Sequence, residues 1–144
     1  MEGSGVIDKE DFNPGKVMKE FIERNSRGRS GGLLFFLGVV RDKSRTGKEV
    51  ASLEIEAEEE MATQEVRRIV EEVKDRYGLD DALIIHAQGV FKPGEPLVLV
   101  ALAGRGRKEL FPAMEEAIHS YKTRPPIFKK EVYGDGSGAW IEEG

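Results

Sequence analysis

The 144-residue sequence contains no cysteine. This excludes a disulfide framework, a thiolate nucleophile and a zinc site built on cysteine ligands. The two histidines, His86 and His119, do not stand at His-x3-His or His-Glu-x2-His spacing, so we expect neither a metal site nor a bound cofactor. His86 lies in an apolar stretch, for which we predict a hydrogen-bonded core position. Any sulfur chemistry would have to use sulfur carried by a partner.

Long apolar runs are also missing. The longest, Leu33 to Val40, is interrupted by Gly38 and falls far short of the roughly 20 residues that cross a bilayer. The first five residues lack the basic-then-apolar order of a secretory signal, which predicts a cytoplasmic protein with no membrane association.

A net charge of -5 argues against general nucleic-acid binding, which needs a basic surface. The cations are unevenly distributed, however, because the stretch 104–130 contains seven lysines and arginines against three glutamates. Such a concentration predicts a local anion site. RNA binding through residues 104–108 is poorly supported, since no aromatic residues accompany these cations.

Periodicity predicts one domain over residues 1–144, with three amphipathic helices and three pairs of strands. Helices are expected from Asn13-Pro14 to near Asn25, from about Met61 to Tyr77, and through Leu110 to Tyr121. We expect the third helix to begin only shortly before Pro112, because an interior proline costs about 3 kcal/mol. The predicted strands are Gly32–Val40, Val50–Ala57, Ala82–Phe91, Leu97–Ala103, Ile127–Tyr133 and Ala139–Glu142. This order, α-β-β-α-β-β-α-β-β, indicates an α+β domain with antiparallel pairing.

Lys122 and Lys129 stand on either side of Pro125-Pro126. Two prolines fix φ at successive residues, so the lysines are held at a defined separation with little entropy left to lose. Such a pair could hold a negatively charged intermediate. The alternative is two solvated surface lysines, of which Lys122 would also complement the C-terminal dipole of its helix.

Two other segments carry candidate anion-binding residues. Residues 104–108 (Gly-Arg-Gly-Arg-Lys) join a strand to a helix N-terminus, where exposed N–H groups and arginines can hold a phosphate. Arg41 directly follows an apolar strand and could bind a phosphate in bidentate fashion. The alternatives are an ordinary surface turn at residues 104–108 and, at Arg41, a residue that marks where the strand reaches water.

Motifs in a fixed order carry a resemblance to a known family. They are Gly38-Val39-Val40-Arg41, Leu53-Glu54-Ile55-Glu56 ahead of Met61-Ala62, Ile85-His86 with Gly89, Pro93-Gly94-Glu95, Val100-Ala101, Arg107 with Phe111, and Lys122-Thr123-Arg124-x-Pro126-Ile127-Phe128-Lys129-Lys130-Glu131 with Trp140. Over about residues 30–141, the chain resembles the catalytic (large) subunit of molybdopterin synthase, as a divergent member of that family. The lysine-containing motif is the most specific of these segments.

The resemblance implies an α/β hammerhead-type fold and a homodimer within a heterotetramer. It implies a sulfurtransferase that takes sulfur from the C-terminal Gly-Gly thiocarboxylate of a small ubiquitin-like carrier. The acceptor would be cyclic pyranopterin monophosphate, which becomes the dithiolene of molybdopterin. Lys122 and Lys129 match the family's catalytic lysines. Arg41 and Arg107 match residues that hold the pterin phosphate, with contributions possible from the partner subunit, and Arg105 and Lys130 are added as candidate substrate-binding cations.

The chain departs from the family pattern at two places. Gly106-Arg107 stands where the family usually has His-Arg, and His86-Ala87 stands where it usually has His-Arg again. An aromatic residue usual after Glu56 is also replaced by an acidic stretch, which we expect to form a solvated helix start. These departures motivate the alternative of a non-catalytic homologue that binds a ubiquitin-like carrier or another partner.

Overall fold

Strands and helices alternate along the chain in the computed structural model, which describes residues 3–141. The strands are β1 (Gly5–Asp8), β2 (Gly32–Val39), β3 (Val50–Ala57), β4 (Asp81–Phe91), β5 (Pro96–Gly104), β6 (Ile127–Tyr133) and β7 (Gly138–Ile141). The helices are α1 (Pro14–Arg24), α2 (Glu59–Tyr77) and α3 (Arg107–Thr123), with a single 3-10 turn at Lys9–Asp11. The predicted α+β class with three helices is confirmed.

The strands form one sheet in the order β2-β5-β4-β3-β6-β7. Successive neighbours along this path are antiparallel, as predicted. The short strand β1 pairs in parallel with β4. It lies on the same edge of β4 as β3, because β1 pairs with residues 85–88 of β4 and β3 pairs with residues 89–91. Gly89, where this edge passes from one neighbour to the other, has a φ of +134°, a backbone conformation that favours glycine.

Helices cover both faces of the sheet. On one face α2 and α3 pack over alternate residues of β4 and β5, such as Ile84 and Val100. On the other face α1 places Phe21 against Leu83 and Ala101. Alternate residues of β4 and β5 are therefore buried on opposite faces of the sheet, and both sets are apolar. This explains why the two strands are near-continuous hydrophobic runs.

Local signals in the sequence set the helix ends. The Asn13 side chain accepts a hydrogen bond from the Lys16 amide at 3.2 Å, and Pro14 occupies the first helical position of α1. Glu58 caps α2 through the Met61 amide at 2.8 Å, and Gly78 ends that helix with a left-handed φ of 62°. The predicted solvated acidic helix start, residues 58–60, is confirmed.

Three features differ from the sequence-based expectation. Strand β1 was not predicted, because its four residues, Gly-Val-Ile-Asp, are too few to show a clear period. It forms by pairing with β4 and through a 3.0 Å hydrogen bond from the Val6 amide to the Thr63 hydroxyl. Helix α3 begins at Arg107, so Pro112 lies in its second turn, and the buried Leu110 holds the preceding turn on the sheet. The predicted last residue of β7, Glu142, lies outside the described residues.

Candidate functional site

Arg41 follows β2 at the point where this strand leaves its pairing with β5. A Cβ at Gly38 would lie 2.6 Å from the Val98 side chain, so only glycine allows this close approach, and the register shifts just after it. Val40 is then held by two backbone bonds to the β4–β5 turn, to Glu95 at 3.0 Å and from Gly94 at 2.8 Å. Arg41 follows on an anchored segment and points into a surface cavity.

Residues 42–49 form a small hairpin beside this cavity. Lys43 bridges Glu49, and the Gly47 amide bonds the Ser44 carbonyl at 3.0 Å, which makes a tight turn with a positive φ at Gly47. The hairpin tip carries Arg45. Because the chain folds back at this tip, the guanidinium of Arg45 reaches the same region that Arg41 occupies.

Helix α3 and strand β6 bring the two predicted lysines to the same cavity. Tyr121 is buried and meets the His86 ring edge-on at 5.7 Å, which fixes the rotation of the last turn of α3 and places Lys122 at the cavity rim. The Pro126 carbonyl then accepts the Glu58 amide at 3.1 Å. On β6, Lys129 lies opposite Ile55 of β3 and keeps only 7% of its surface exposed.

The main cavity has a volume of about 490 Å³. Its walls are mostly apolar, and four cations and one carboxylate complete them. The charged residues are Arg41, Arg45, Lys122, Lys129 and Glu131. An apolar wall strengthens the attraction of these cations for an anion, since water screens them less than on an open surface.

A smaller side cavity of about 280 Å³ adjoins the first and shares Arg41, Arg45 and Glu131 with it. Tyr133 closes one wall and donates a 2.9 Å hydrogen bond from its hydroxyl to Glu131, and this bond raises the pKa of Tyr133. Glu131 thus accepts this hydrogen bond at the cavity rim, next to Lys129 on the same face of β6. The two cavities together form one continuous cationic region.

The other predicted binding residues lie elsewhere. Arg105 and Arg107 are exposed at the N-terminal end of α3. Arg107, the first residue of the helix, lies about 22 Å along the helix axis from Lys122 at 1.5 Å per residue. Lys130 sits on the opposite face of β6 from Lys129, with its ammonium 5.9 Å from the centre of the Trp140 ring. The structure therefore unites Lys122, Lys129 and Arg41, and leaves Arg105, Arg107 and Lys130 outside this cavity.

Sequence reasoning missed Arg45 and Tyr133 as members of the site. Arg45 comes into place only because the hairpin turns at residues 44–47, and the Thr46-Gly47 pair was the one signal of that turn. The prediction for His86 is confirmed: it is 1% exposed, and its Nδ1 lies 2.9 Å from the Ala87 carbonyl. No group of three or more histidines and carboxylates within residues 3–141 could hold a metal ion.

The fold and the site together define an α+β protein with a cationic cavity at one end of its sheet, suited to a small anionic ligand. The family model of the MoaE protein matches residues 7–124. A molybdopterin synthase catalytic subunit of Pyrococcus abyssi is 40% identical over 133 residues, which cover 92% of this chain and 86% of that relative. The chain therefore belongs to the MoaE family, as the resemblance predicted.

Solved structures agree with this assignment. The crystal structure of molybdopterin synthase from Staphylococcus aureus has a TM-score of 0.84 and 25% identity, and the match covers 99% of each chain. A complex of subunits 1 and 2 of the molybdopterin-converting factor from Helicobacter pylori shares the fold at a TM-score of 0.76, with 19% identity and coverage of 96% and 90%. In residues 3–141, no helix is both long and apolar enough to cross a membrane.

Proposed function

We propose that this chain is the catalytic subunit of a molybdopterin synthase, and that it transfers sulfur from a thiocarboxylated carrier to cyclic pyranopterin monophosphate. One observation carries the proposal: Lys122 and Lys129, from two different elements, line one cavity together with Arg41. Two lysines on a solvated surface would not converge in this way. The alternative of two solvated surface lysines does not fit Lys129, which is buried.

The cavity suits a reaction in which negative charge develops. Lys122 at the rim and Lys129 at the inner wall can both face a thiocarboxylate and the intermediates formed from it. Preorganised cations stabilise developing charge without reorganising, which is the largest single contribution in many enzymes. Arg41 would hold the phosphate of the pterin, because a guanidinium matches a phosphate with two parallel hydrogen bonds.

The sulfur must come from a partner, since the chain has no cysteine. We propose a small ubiquitin-like carrier whose C-terminal Gly-Gly tail enters the main cavity. A glycine tail has no side chains, so it can lie close to the apolar residues that line this cavity. The two-subunit complex from Helicobacter pylori supports this partner by its shared fold.

A second copy of the chain would complete the site. Strand β2 is an edge strand that pairs only with β5 among the described residues, and it exposes Phe36, Leu37 and Val39, the last two at 40% and 49%. An exposed apolar edge strand is a template for association. We propose a homodimer, within a heterotetramer, in which Arg107 of one copy reaches the cavity of the other.

A reconstituted reaction tests the proposal. Carrier thiocarboxylate, the pterin phosphate and the purified chain should yield molybdopterin, and Lys122→Ala should lower the rate by about a hundredfold or more. Lys19→Ala, on the exposed side of α1 across the sheet, is the matched control and should keep full activity. Full activity of the Lys122→Ala variant would contradict the mechanism.

Tight carrier binding without any product would instead support the non-catalytic alternative, which the substitutions at Gly106 and Ala87 motivate. The single domain over residues 1–144 and the cytoplasmic location stay predictions.

A further inference from the structure

Lys122 lies in the last turn of α3, a part of a helix that commonly frays. Helix α2 is capped by Gly78 in the left-handed conformation, whereas α3 is capped by Arg124, whose backbone is right-handed helical, and a proline pair follows directly. The glycine cap that stabilises so many helix ends is therefore missing from α3. Besides the contact of Tyr121 with His86, a further interaction from outside the helix can hold the turn that carries Lys122.

Arg124 supplies this interaction from two residues away. Its guanidinium donates to both carboxylate oxygens of Glu72, at 3.0 and 2.9 Å, and its Nε donates to Glu65 at 2.7 Å. Glu65 and Glu72 stand two turns apart on α2. A two-pronged contact of this kind fixes orientation as well as distance. The hydrogen bonds from Arg124 also hold the pKa of Glu72 below its usual value.

The same helix holds the other side of the proline pair. The amide of Glu58, at the start of α2, bonds the Pro126 carbonyl at 3.1 Å, and β6 then pairs with β3. The segment between the two lysines is thus attached to α2 on both sides of Pro125. Lys129 is held by the pairing of β6 with β3, whereas Lys122 lies at a helix end that the Tyr121–His86 contact and the bonds of Arg124 attach to the rest of the fold.

We propose that Arg124 is a positioning residue, which sets the location of the Lys122 ammonium in the cavity by clamping the end of α3 to α2. Arg124 does not line either cavity, so it acts through Lys122 and not on the substrate. The expected effect of Arg124 on the reaction rate rests on the proposed function, whereas its effect on the stability of the end of α3 does not.

The chain offers a matched control. Arg76 of α2 forms an ion pair with Glu116 of α3, so it joins the same two helices. Glu116 lies six residues before Lys122, near the middle of α3. Arg76→Gln therefore removes a helix-helix ion pair without touching the end that carries Lys122. Arg124→Gln removes the pair that we propose to be functional.

Amide hydrogen exchange tests the clamp independently of catalysis. In Arg124→Gln, exchange in peptides spanning residues 121–127 should accelerate about tenfold or more, because the local opening of this turn becomes easier. In Arg76→Gln it should stay near that of the unmodified chain. Unchanged exchange in Arg124→Gln would overturn the inference, even if the chain makes molybdopterin.

Kinetics then test whether the clamp acts through Lys122. Arg124→Gln should lower kcat by about tenfold to a hundredfold with little change in the KM for the pterin, since small displacements of a reacting group are costly. Arg124→Lys keeps the positive charge but loses the bidentate hydrogen bonding of the guanidinium, so its kcat should lie between those of the unmodified chain and Arg124→Gln. If Arg124→Gln folds poorly, this conservative variant serves in its place.

A double-variant cycle separates positioning from general damage. In the Lys122→Ala background, Arg124→Gln should lower the residual rate no further, because the residue that it positions is already gone. An equal loss in both backgrounds, or an equal loss in Arg76→Gln, would overturn the inference. If the unmodified chain forms no product at all, the proposed function fails, and the exchange measurement still decides the clamp.

Discussion

The two ends of helix α3 carry similar cations in different surroundings. At its C-terminal end, Lys122 joins Lys129, Arg41 and Arg45 around a concave, largely apolar cavity. At its N-terminal end, Arg105 and Arg107 lie exposed on a Gly-rich turn. Two unit charges 4 Å apart interact by about 1 kcal/mol in water but about 4 kcal/mol near a protein surface of lower effective dielectric. We therefore expect the same residue types to bind an anion better in the concave cavity than on the exposed turn.

The two ends of α3 also differ in the surfaces that lie beside them. The cavity at the C-terminal end lies against the edge strand β2, which presents apolar side chains outward. The arginines at the N-terminal end line neither of the two cavities described above. In the homodimer proposed above, a second copy placed along β2 could bring the arginines of one chain to the cavity of the other.

The largest expected effect contrasts two neighbouring lysines on opposite faces of β6. Lys129→Ala should lower kcat by about a hundredfold, because a buried cation next to the reacting groups is lost. Lys130→Ala should cost less than about threefold, since its ammonium lies over Trp140 and outside the cavity. Steady-state rates of molybdopterin formation measure both. Equal losses would show that the cavity does not define the site.

The next effect concerns the exposed arginines. Lys122→Ala and Arg107→Ala should each be severely impaired alone, yet a mixture of the two chains should recover about a quarter of full activity. Random pairing gives half heterodimers, and each of these has one intact site of two in a symmetric dimer. The measurement is the rate after the two chains are unfolded and refolded together. No recovery would contradict a site shared between copies.

A smaller effect is expected within the cavity end itself. Arg45→Gln should raise the KM for the pterin phosphate about fivefold with kcat nearly unchanged, because it removes a charged hydrogen-bond donor that contributes to binding. Lys43→Gln is the control, since Lys43 belongs to the same hairpin but lines neither cavity. A fall in kcat without a change in KM would place Arg45 in the chemistry instead of in binding.

Much of this architecture could be predicted from the sequence, because its signals are local. The cap at Asn13, the stop at Gly78 and the alternation along β3 each depend on a few adjacent residues. The motif around Lys122 and Lys129 predicted two lysines held close together, and both line the main cavity, since the two prolines limit the separation of the residues on either side of them.

Other features could not be predicted, because they depend on distant contacts. Strand β1 forms only where β4 and α2 provide partners. Arg45 reaches the cavity through the fold of a hairpin, and Lys130 is separated from Lys129 by the alternation of a strand whose orientation the sequence did not give. The distance between Arg107 and Lys122 follows from the length of α3, which the proline at 112 led us to underestimate.

The smallest expected effect on activity lies at the N-terminal end of α3, where buried polar contacts hold α1 in place. Asp81, at the start of β4, is 6% exposed and accepts hydrogen bonds from Arg24 at 2.6 Å and from Asn25 at 2.8 Å. Burial alone would raise the pKa of Asp81, but the hydrogen bonds from Arg24 and Asn25 outweigh it, so this pKa lies below its ordinary value.

Asp81→Asn should therefore lower the free energy of unfolding by about 1–3 kcal/mol at pH 7, because it removes a charged acceptor from a buried network. A depressed folded-state pKa contributes stability above the unfolded value, near 3.9, and this contribution is lost as pH falls through the lower folded value. Urea unfolding at pH 7 and at successively lower pH should show the gap between the two chains closing below about pH 4. The exposed Asp75→Asn should show no such gap. A gap that persists at low pH would mean that Asp81 acts through packing alone. In either case the folded variant should transfer sulfur at an unchanged rate, since Asp81 lies at the end of the molecule away from the cavity.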